Sequence, residues 1–570
     1  MQKIPFIVLL FFSLIAFPQG DISVNSACPT NYFRKPLDIP ILLSGTFGEL
    51  RTNHFHAGLD IKTQQAEGLN VYSAAQGYVS RIKISHWGYG KALYITHPNG
   101  YTSVYAHLKK FNNRIETYIK KQQYKKESFE VHVFPTSTEL PVSKDEIIAF
   151  SGSTGGFVGP HLHFEIRNTE TEKPINPLFF GIQVKDSKKP SINTLVGYAL
   201  DQNSHINQLN IPTQLSFKKL KNGDFLADKI TAHGIIGFGI NAYDQLDGAH
   251  NKNGLYSLEM LINGEKAHEF VANTFSFAES KYINLLIDYE RFAKMNQRIQ
   301  KCFVEPSNKL SSYYKTSSKG YISIKDGVDY KVDIIAKDYK GNMQKISIPI
   351  VGKEAPILVE KTGRTTPYKI DHTQFNEFNK EGIKIAFPKY TFYNDFYLDF
   401  SVKDSIVKVH EPIIPLHKNY TLTFDVSKYT TDQKKQLYIA SINKNGKTSY
   451  TKTIKKDSIF FTSTKKLGEF TLLTDNQNPN VSLHNFKDEQ WLSNFNSIKV
   501  KISDKESGIQ SYRGEIDGAW ILMEYNVKKG LLTYNLNDKK FAKAKHELNV
   551  SVIDNVGNSK TVSATFYRKK

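Results

Sequence analysis

Gly159-Pro160-His161-Leu162-His163-Phe164-Glu165-Ile166-Arg167 alternates strictly between polar and apolar side chains. Successive side chains of a strand point to opposite faces. His161, His163, Glu165 and Arg167 therefore share one face of a strand, and Leu162, Phe164 and Ile166 share the other. Neighbours on one face sit about 6.6 Å apart at Cα, a spacing that suits one metal ligand beside one acid–base group. Glu165 and Arg167 read as supporting or surface groups. The preceding Ser151-Gly152-Ser153-Thr154-Gly155-Gly156 is a glycine-rich loop placed to frame a cleft.

Upstream, His56-Ala57-Gly58-Leu59-Asp60-Ile61 carries the same alternation, with His56, Gly58 and Asp60 on one face. Four residues of extended strand span about 13 Å, whereas two ligands of one zinc must each come within about 2.0–2.2 Å of it. The chain must bend between His56 and Asp60, and Gly58 is the residue that permits a bulge or close turn. A third histidine, His107, ends the alternating run Tyr101-Thr102-Ser103-Val104-Tyr105-Ala106-His107, where it can project into a site. Zinc with three protein ligands keeps a position for water, lowers that water's pKa and polarises a peptide carbonyl. Histidine near neutral pH suits the proton transfers that remain.

Taken together, His56-x-Gly58-x-Asp60, then Tyr105-Ala106-His107-Leu108, then Gly159-Pro160-His161-Leu162-His163-Phe164-Glu165 resemble the signature set of the lysostaphin/LytM zinc endopeptidases. The resemblance implies that His56, Asp60 and His163 are the ligands of one Zn2+ and that His107 and His161 are the catalytic histidines. It also implies a substrate in the peptide part of bacterial peptidoglycan. The alternative is an envelope-binding or regulatory protein that keeps the fold and acts by docking; the complete ligand set argues against it. His86 and His97 read as ordinary strand or turn histidines. His233, His250, His268 and His410 lack ligand spacing and read as surface residues.

Around these motifs, residues 37–183 form the expected β-sheet peptidase domain. Residues 77–85, 90–97 and 101–107 are strands, the last two joined through Asn99-Gly100, a tight-turn dipeptide. Leu108, Phe111, Ile115, Tyr118 and Ile119 recur at helical spacing, so residues 108–128 are read as an amphipathic helix inserted into the β domain. It separates His107 from Val142-Ser143-Lys144-Asp145-Glu146, where similar proteins run more directly, and it is placed to narrow the cleft.

Further on, an internal repeat appears. Asp186-Ser187-Lys188-Lys189-Pro190 resembles Asp475-Asn476-Gln477-Asn478-Pro479, Asp244 has a counterpart in Asp504, and Asp-x-x-Gly-Asn recurs at residues 338–342 and 554–558. The repeat marks two immunoglobulin-like β-sandwich modules, 186–351 and 475–570, each ending near a hairpin. The first holds an insertion in which residues 282–302 read as helical. Residues 361–474 read as a further β-rich domain. The fold class is therefore mainly β, and modules of this kind are expected to bury cores separate from the catalytic one.

Composition agrees with a multidomain exported protein. The chain has 570 residues, 40% hydrophobic and 23% charged, too long for one core and too apolar for disorder. Residues 4–17 form an apolar run after Gln2-Lys3, which reads as a signal peptide over residues 1–20; the competing reading is a membrane anchor. The formal net charge of +20 favours an anionic cell-envelope surface as partner. Lysines are spread along the chain and no nucleic-acid motif is present, so nucleic acid is not expected as a partner. The two cysteines, Cys28 and Cys302, either pair in an oxidising compartment or are buried thiols.

Overall fold

The computed structural model describes residues 28–156, 159–314, 318–360, 363–539 and 543–568. The expected signal peptide at residues 1–20 lies outside them. The chain is mainly β, with 45% strand and 7% helix.

The N-terminal domain is built on one antiparallel sheet. Its strands are β1 (Leu43–Gly45), β2 (Leu59–Lys62), β3 (Gly77–Ile84), β4 (Lys91–Thr96), β5 (Tyr101–Ala106), β6 (Val131–Val133) and β7 (His161–Asn168), in the order β1-β2-β7-β5-β4-β3-β6. The alternating segment is thus the central strand, flanked by the two other motif-bearing strands. Register does the rest. His163 on β7 lies opposite Asp60 on β2 and opposite Ala106 on β5, the residue before His107. Leu162, Phe164 and Ile166 fill the apolar face as the alternation requires, together with Leu59, Ile61 and Tyr105.

The inserted helix α1 (Asn113–Lys126) begins where the Asn112 side chain accepts a hydrogen bond from the Ile115 N–H. It buries Ile115 and Ile119 of the expected inner face, but it is shorter than residues 108–128: Lys110–Phe111 pair as a strand ahead of it, so Phe111 is buried from a strand. Arg114 ties it to Glu146 of the same domain, and further contacts run to the C-terminal module. Lys120 pairs with Asp538 at 2.8 Å, Glu127 with Arg513 at 2.7 Å, and Tyr124 meets Trp520 edge-on at 5.3 Å. The insertion thereby serves as a mount for a distant module.

Downstream, three further cores follow in chain order. Two five-stranded sheets face each other in the third region, and a four- and a five-stranded sheet form the last sandwich. Both Asp-x-x-Gly-Asn motifs close hairpins: Asp338 N–H donates to Asn342 O at 3.1 Å, and Asp554 N–H to Asn558 O at 3.0 Å. The insertion at 282–302 is only partly helical, with Ile283–Leu286 and Tyr289–Met295 followed by strand Gln300–Lys301.

Several expectations are corrected. The first module does not bury a core wholly its own: Leu246, Phe270, Phe275, Ile283 and Leu286 belong to the same apolar cluster as Phe47 and Phe55 of the N-terminal domain. Phe47 and Phe55 each lie 5.3 Å from the Phe275 ring. Of the two readings left open for the cysteines, buried thiols hold: Cys28 and Cys302 lie in different clusters and form no disulfide with each other. His268 is not a surface residue; it is 1% exposed, edge-on to Tyr313, and burial pushes its pKa down to about 3.

Candidate metal centre

His56, Asp60 and His163 converge. His56 Nε2 lies 3.0 Å from Asp60 Oδ1 and 3.0 Å from His163 Nδ1, and His163 Nδ1 lies 2.9 Å from Asp60 Oδ1. These three atoms form a near-equilateral triangle, so a point about 2.1 Å from each, the distance zinc takes to such ligands, exists just off its plane. The alternation argument needed a bend between His56 and Asp60. The structure supplies it without a bulge in that segment: β2 starts only at Leu59, and His56 sits in the irregular connection that follows the short strand His54–Phe55. Gly58 is required by close approach, since a Cβ there would collide with the Phe164 carbonyl oxygen.

The other end of each imidazole fixes its tautomer. His56 Nδ1 is 2.7 Å from Thr46 O, a carbonyl that can only accept, so Nδ1 carries the proton and Nε2 the lone pair. His163 Nε2 is 2.8 Å from Glu165 Oε1, which leaves the Nδ1 lone pair facing the triangle. Two lone pairs thus point at one another across 3.0 Å, with a carboxylate beside them. A cation satisfies that arrangement. In its absence a proton takes the place: burial by itself would lower the His163 pKa, but Asp60 and Glu165 override it and push it up to about 9. Asp60 is held well below the usual carboxylate range by His56 and His163 despite its burial.

Residues outside the motifs complete the site. Arg51 reaches Asp60 Oδ2 at 2.7 Å, leaving Oδ1 for the triangle. Gly45 makes room for that pair; a Cβ there would lie 2.5 Å from the Arg51 guanidinium and 2.8 Å from Asp60 Oδ2. Glu165, expected as a supporting or surface group, is fully buried. It accepts hydrogen bonds from His163, from Tyr89 Oη and from Arg167 Nε at 2.6 Å. Burial opposes its ionisation, yet Arg167 and His163 pull its pKa down to about 2. Arg51 and Tyr89 escape sequence reasoning because neither stands in a motif. The one signal for Arg51 is its position in the short hairpin that leads into His56.

His107 and His161 lie beside the triangle, with ring centroids 4.6 Å apart. His107 follows β5 in a left-handed conformation (φ 59°), which turns it out of the strand, and its Nδ1 lies 2.9 Å from Thr154 O. The glycine-rich loop therefore does frame the site. His161 Nδ1 lies 3.1 Å from Gly159 O, and its Nε2 is 3.7 Å from Asp60 Oδ1. Burial lowers the pKa of both, that of His107 to about 3 with the help of His163 and His161. All five predicted site residues are brought together, each between 1% and 4% exposed. His97 is a buried sheet residue bonded to Gln76 O and Ser103, and His86 stacks on Phe129, both apart from this centre.

Comparison with known proteins adds family information. Residues 54–124 match the model of peptidase family M23, a segment that contains His56, Asp60 and His107, and residues 367–475 match a Zu5-like domain. The chain is similar to the DD-carboxypeptidase/endopeptidase Mpg of Neisseria meningitidis serogroup B, 33% identical over 129 residues that make up 23% of this chain and 23% of that protein. It thus spans less than a quarter of that relative's length. Among solved structures, a zinc containing peptidase from Vibrio cholerae is 24% identical, with a TM-score of 0.20, over 27% of this chain and 40% of that one. The catalytic domain of lysostaphin from Staphylococcus simulans is 23% identical, with a TM-score of 0.18, over 24% of this chain and 87% of that one. The family match over residues 54–124 and the similarity to Mpg support a LytM-type peptidase family M23 domain in the N-terminal part of this chain.

Proposed function

We propose that this chain is a zinc-dependent endopeptidase that hydrolyses peptide bonds of bacterial peptidoglycan, with zinc held by His56 Nε2, Asp60 Oδ1 and His163 Nδ1. The observation that carries the reading is the approach of His56 Nε2 and His163 Nδ1 to 3.0 Å, each ring with its other nitrogen tied to an oxygen. Two imidazoles and one carboxylate are a donor set that suits zinc. When bound, zinc supplies Lewis acidity toward a peptide carbonyl and lowers the pKa of water.

The protein's own groups do the remaining work. His107 and His161 each hold the Nδ1 proton on a backbone carbonyl and keep Nε2 as acceptor. Their lowered pKa values keep them neutral at pH 7, the form that takes up a proton from water and returns it to the leaving amine. The imidazolium formed on the way is a donor for the developing oxyanion. Arg51 and Glu165 hold Asp60 and His163 in place.

The peptidoglycan substrate rests on the LytM-type family and on the DD-carboxypeptidase/endopeptidase relative. Export rests on the apolar run at residues 4–17, and attraction to an anionic envelope surface on the net charge of +20. Mass spectrometry of wall fragments after incubation with the purified protein tests the activity. New peptide termini that depend on His107 support it, and intact muropeptides with the zinc-loaded protein reject it.

A further inference from the structure

The repeated aspartates have no part in the peptidase site, yet the fold gathers them twice. Asp186, Asp244 and Asp338 come from the entry segment, an internal loop and the exit hairpin of the first immunoglobulin-like module. Each offers a carboxylate oxygen, and the three oxygens lie within 4.8 Å of one another. Asp475, Asp504 and Asp554 do the same in the last module. The corners match in detail. Asn342 Nδ2 donates to Asp338 Oδ2 at 2.7 Å and to Asp186 O at 3.4 Å, and Asn558 Nδ2 donates to Asp554 Oδ2 at 2.8 Å and to Asp475 O at 3.0 Å.

Backbone N–H groups satisfy part of each corner, three of them on Asp554 Oδ1 and one each on Asp338 and Asp186, but buried polar atoms without partners remain in both. Asp244 is 3% exposed; its carboxylate faces Asp186 and Asp338, and its Oδ1 has no hydrogen-bond partner. Asn253, 2% exposed and paired to Asp244 through the backbone, leaves both polar atoms of its side chain without partners. In the second corner Asp475 and Asp554 are fully buried, and Ser507, whose N–H donates to Asp475 Oδ2 at 3.0 Å, has a buried hydroxyl without a partner. Asp554 feels the charge of Lys455, whereas Asp186 and Asp244 face each other's like charge and that of Asp338. Burial and mutual repulsion push Asp244 up to about 7 and Asp186 up to about 6. Buried charge of one sign calls for a counter-ion. Asp186 and Asp244 also line a cavity of about 30 Å³ shared with Leu43, Thr46 and Phe47 of the peptidase domain, room for one ion or water.

We propose that each immunoglobulin-like module binds one calcium ion, at Asp186, Asp244 and Asp338 and at Asp475, Asp504 and Asp554. The donor chemistry selects the ion. Oxygen is the only donor offered, with neither histidine nor cysteine, which favours a hard cation over zinc. Calcium bonds of about 2.3–2.6 Å allow two ligand oxygens to lie at most about 5 Å apart, which the clusters satisfy. Calcium tolerates an irregular mixture of carboxylate, amide, hydroxyl and backbone oxygens, whereas magnesium demands near-ideal octahedra and retains its waters. The ion ties the entry segment of each module to its exit hairpin, and in the first module it braces the module against the peptidase domain.

The full-length protein, stripped with EGTA and titrated with calcium chloride by calorimetry and equilibrium dialysis, tests this. Two calcium ions per chain are expected, with a Tm that rises with calcium and does not respond to equimolar magnesium. Asp244→Asn and Asp554→Asn should each lose one of the two ions, the double variant both, and all three should keep the zinc content of the parent. Where a variant fails to fold, the calcium stoichiometry and Tm of the unmodified chain decide. No binding at millimolar calcium with an unchanged Tm overturns the proposal, as do single variants that still bind two ions. Because zinc is counted separately, neither result bears on the peptidase reading.

Discussion

Glu165 Oε1 accepts a hydrogen bond from His163 Nε2 at 2.8 Å and so turns the other ring nitrogen of His163 toward Asp60. The same carboxylate neutralises the buried Arg167. Glu165→Gln keeps an acceptor for His163 and removes the charge, so zinc affinity should fall about 10- to 100-fold, the usual effect of losing such an orienting partner. Competition with a chromophoric chelator measures it. Glu165→Ala also leaves the buried Arg167 with Glu172 alone, 3.2 Å away, and should lower stability as read by denaturant unfolding.

Zinc uptake should release a proton. Asp60 and Glu165 push the His163 pKa in the metal-free protein up to about 9, so His163 is protonated at pH 7, whereas a ligand nitrogen is not. Zinc binding at pH 7 therefore expels about one proton, and apparent affinity rises about tenfold per pH unit until pH approaches 9, then levels off. Calorimetry in buffers of different ionisation enthalpy counts the proton. A pH-independent affinity between 6 and 8 would contradict the assigned state of His163.

The shared core predicts where the chain can be cut. Ending it at residue 185 exposes Phe47, Phe55 and their neighbours by removing Leu246, Phe270, Phe275, Ile283 and Leu286. Each large apolar side chain fully buried is worth about 1.5–3 kcal/mol, so the short fragment should be insoluble or molten, while one ending at residue 352 should unfold cooperatively. Thermal melts and near-ultraviolet circular dichroism of the two fragments check this. A well-folded short fragment would show that the peptidase core closes without the module.

His107→Ala and His161→Ala should retain zinc and lose about 10²- to 10⁴-fold in turnover, the range for general acid–base groups. Steady-state hydrolysis of a soluble wall peptide alongside metal analysis separates the two properties. Full turnover with both histidines replaced would reassign the catalytic roles.

Period-two alternation placed His161, His163 and Glu165 on one face, and that was enough to foresee the central strand. Likewise the helical spacing of Ile115 and Ile119 gave the inserted helix, and the repeated Asp-x-x-Gly-Asn gave both exit hairpins. These are local patterns, written within one turn or one strand. Arg51, Tyr89 and Gly45 were not legible because their roles arise from pairing between segments: Arg51 meets Asp60 only after a hairpin folds back, and Tyr89 meets Glu165 across 76 residues. For the same reason the apolar residues of the first module gave no sign of which core they enter. The burial of His268 was missed because a lone histidine in a strand carries no marker of the layer that covers it.

The most direct test of the central claim is zinc per chain in the intact protein and in His163→Ala, by plasma emission spectrometry after exhaustive dialysis. One zinc in the parent and a small fraction of one in the variant is the expected result, since His163 supplies one corner of a triangle whose other corners lie 2.9 and 3.0 Å away. Equal zinc in the two proteins, or none in either when zinc is supplied in excess, would contradict the assignment of His56, Asp60 and His163 as a metal centre.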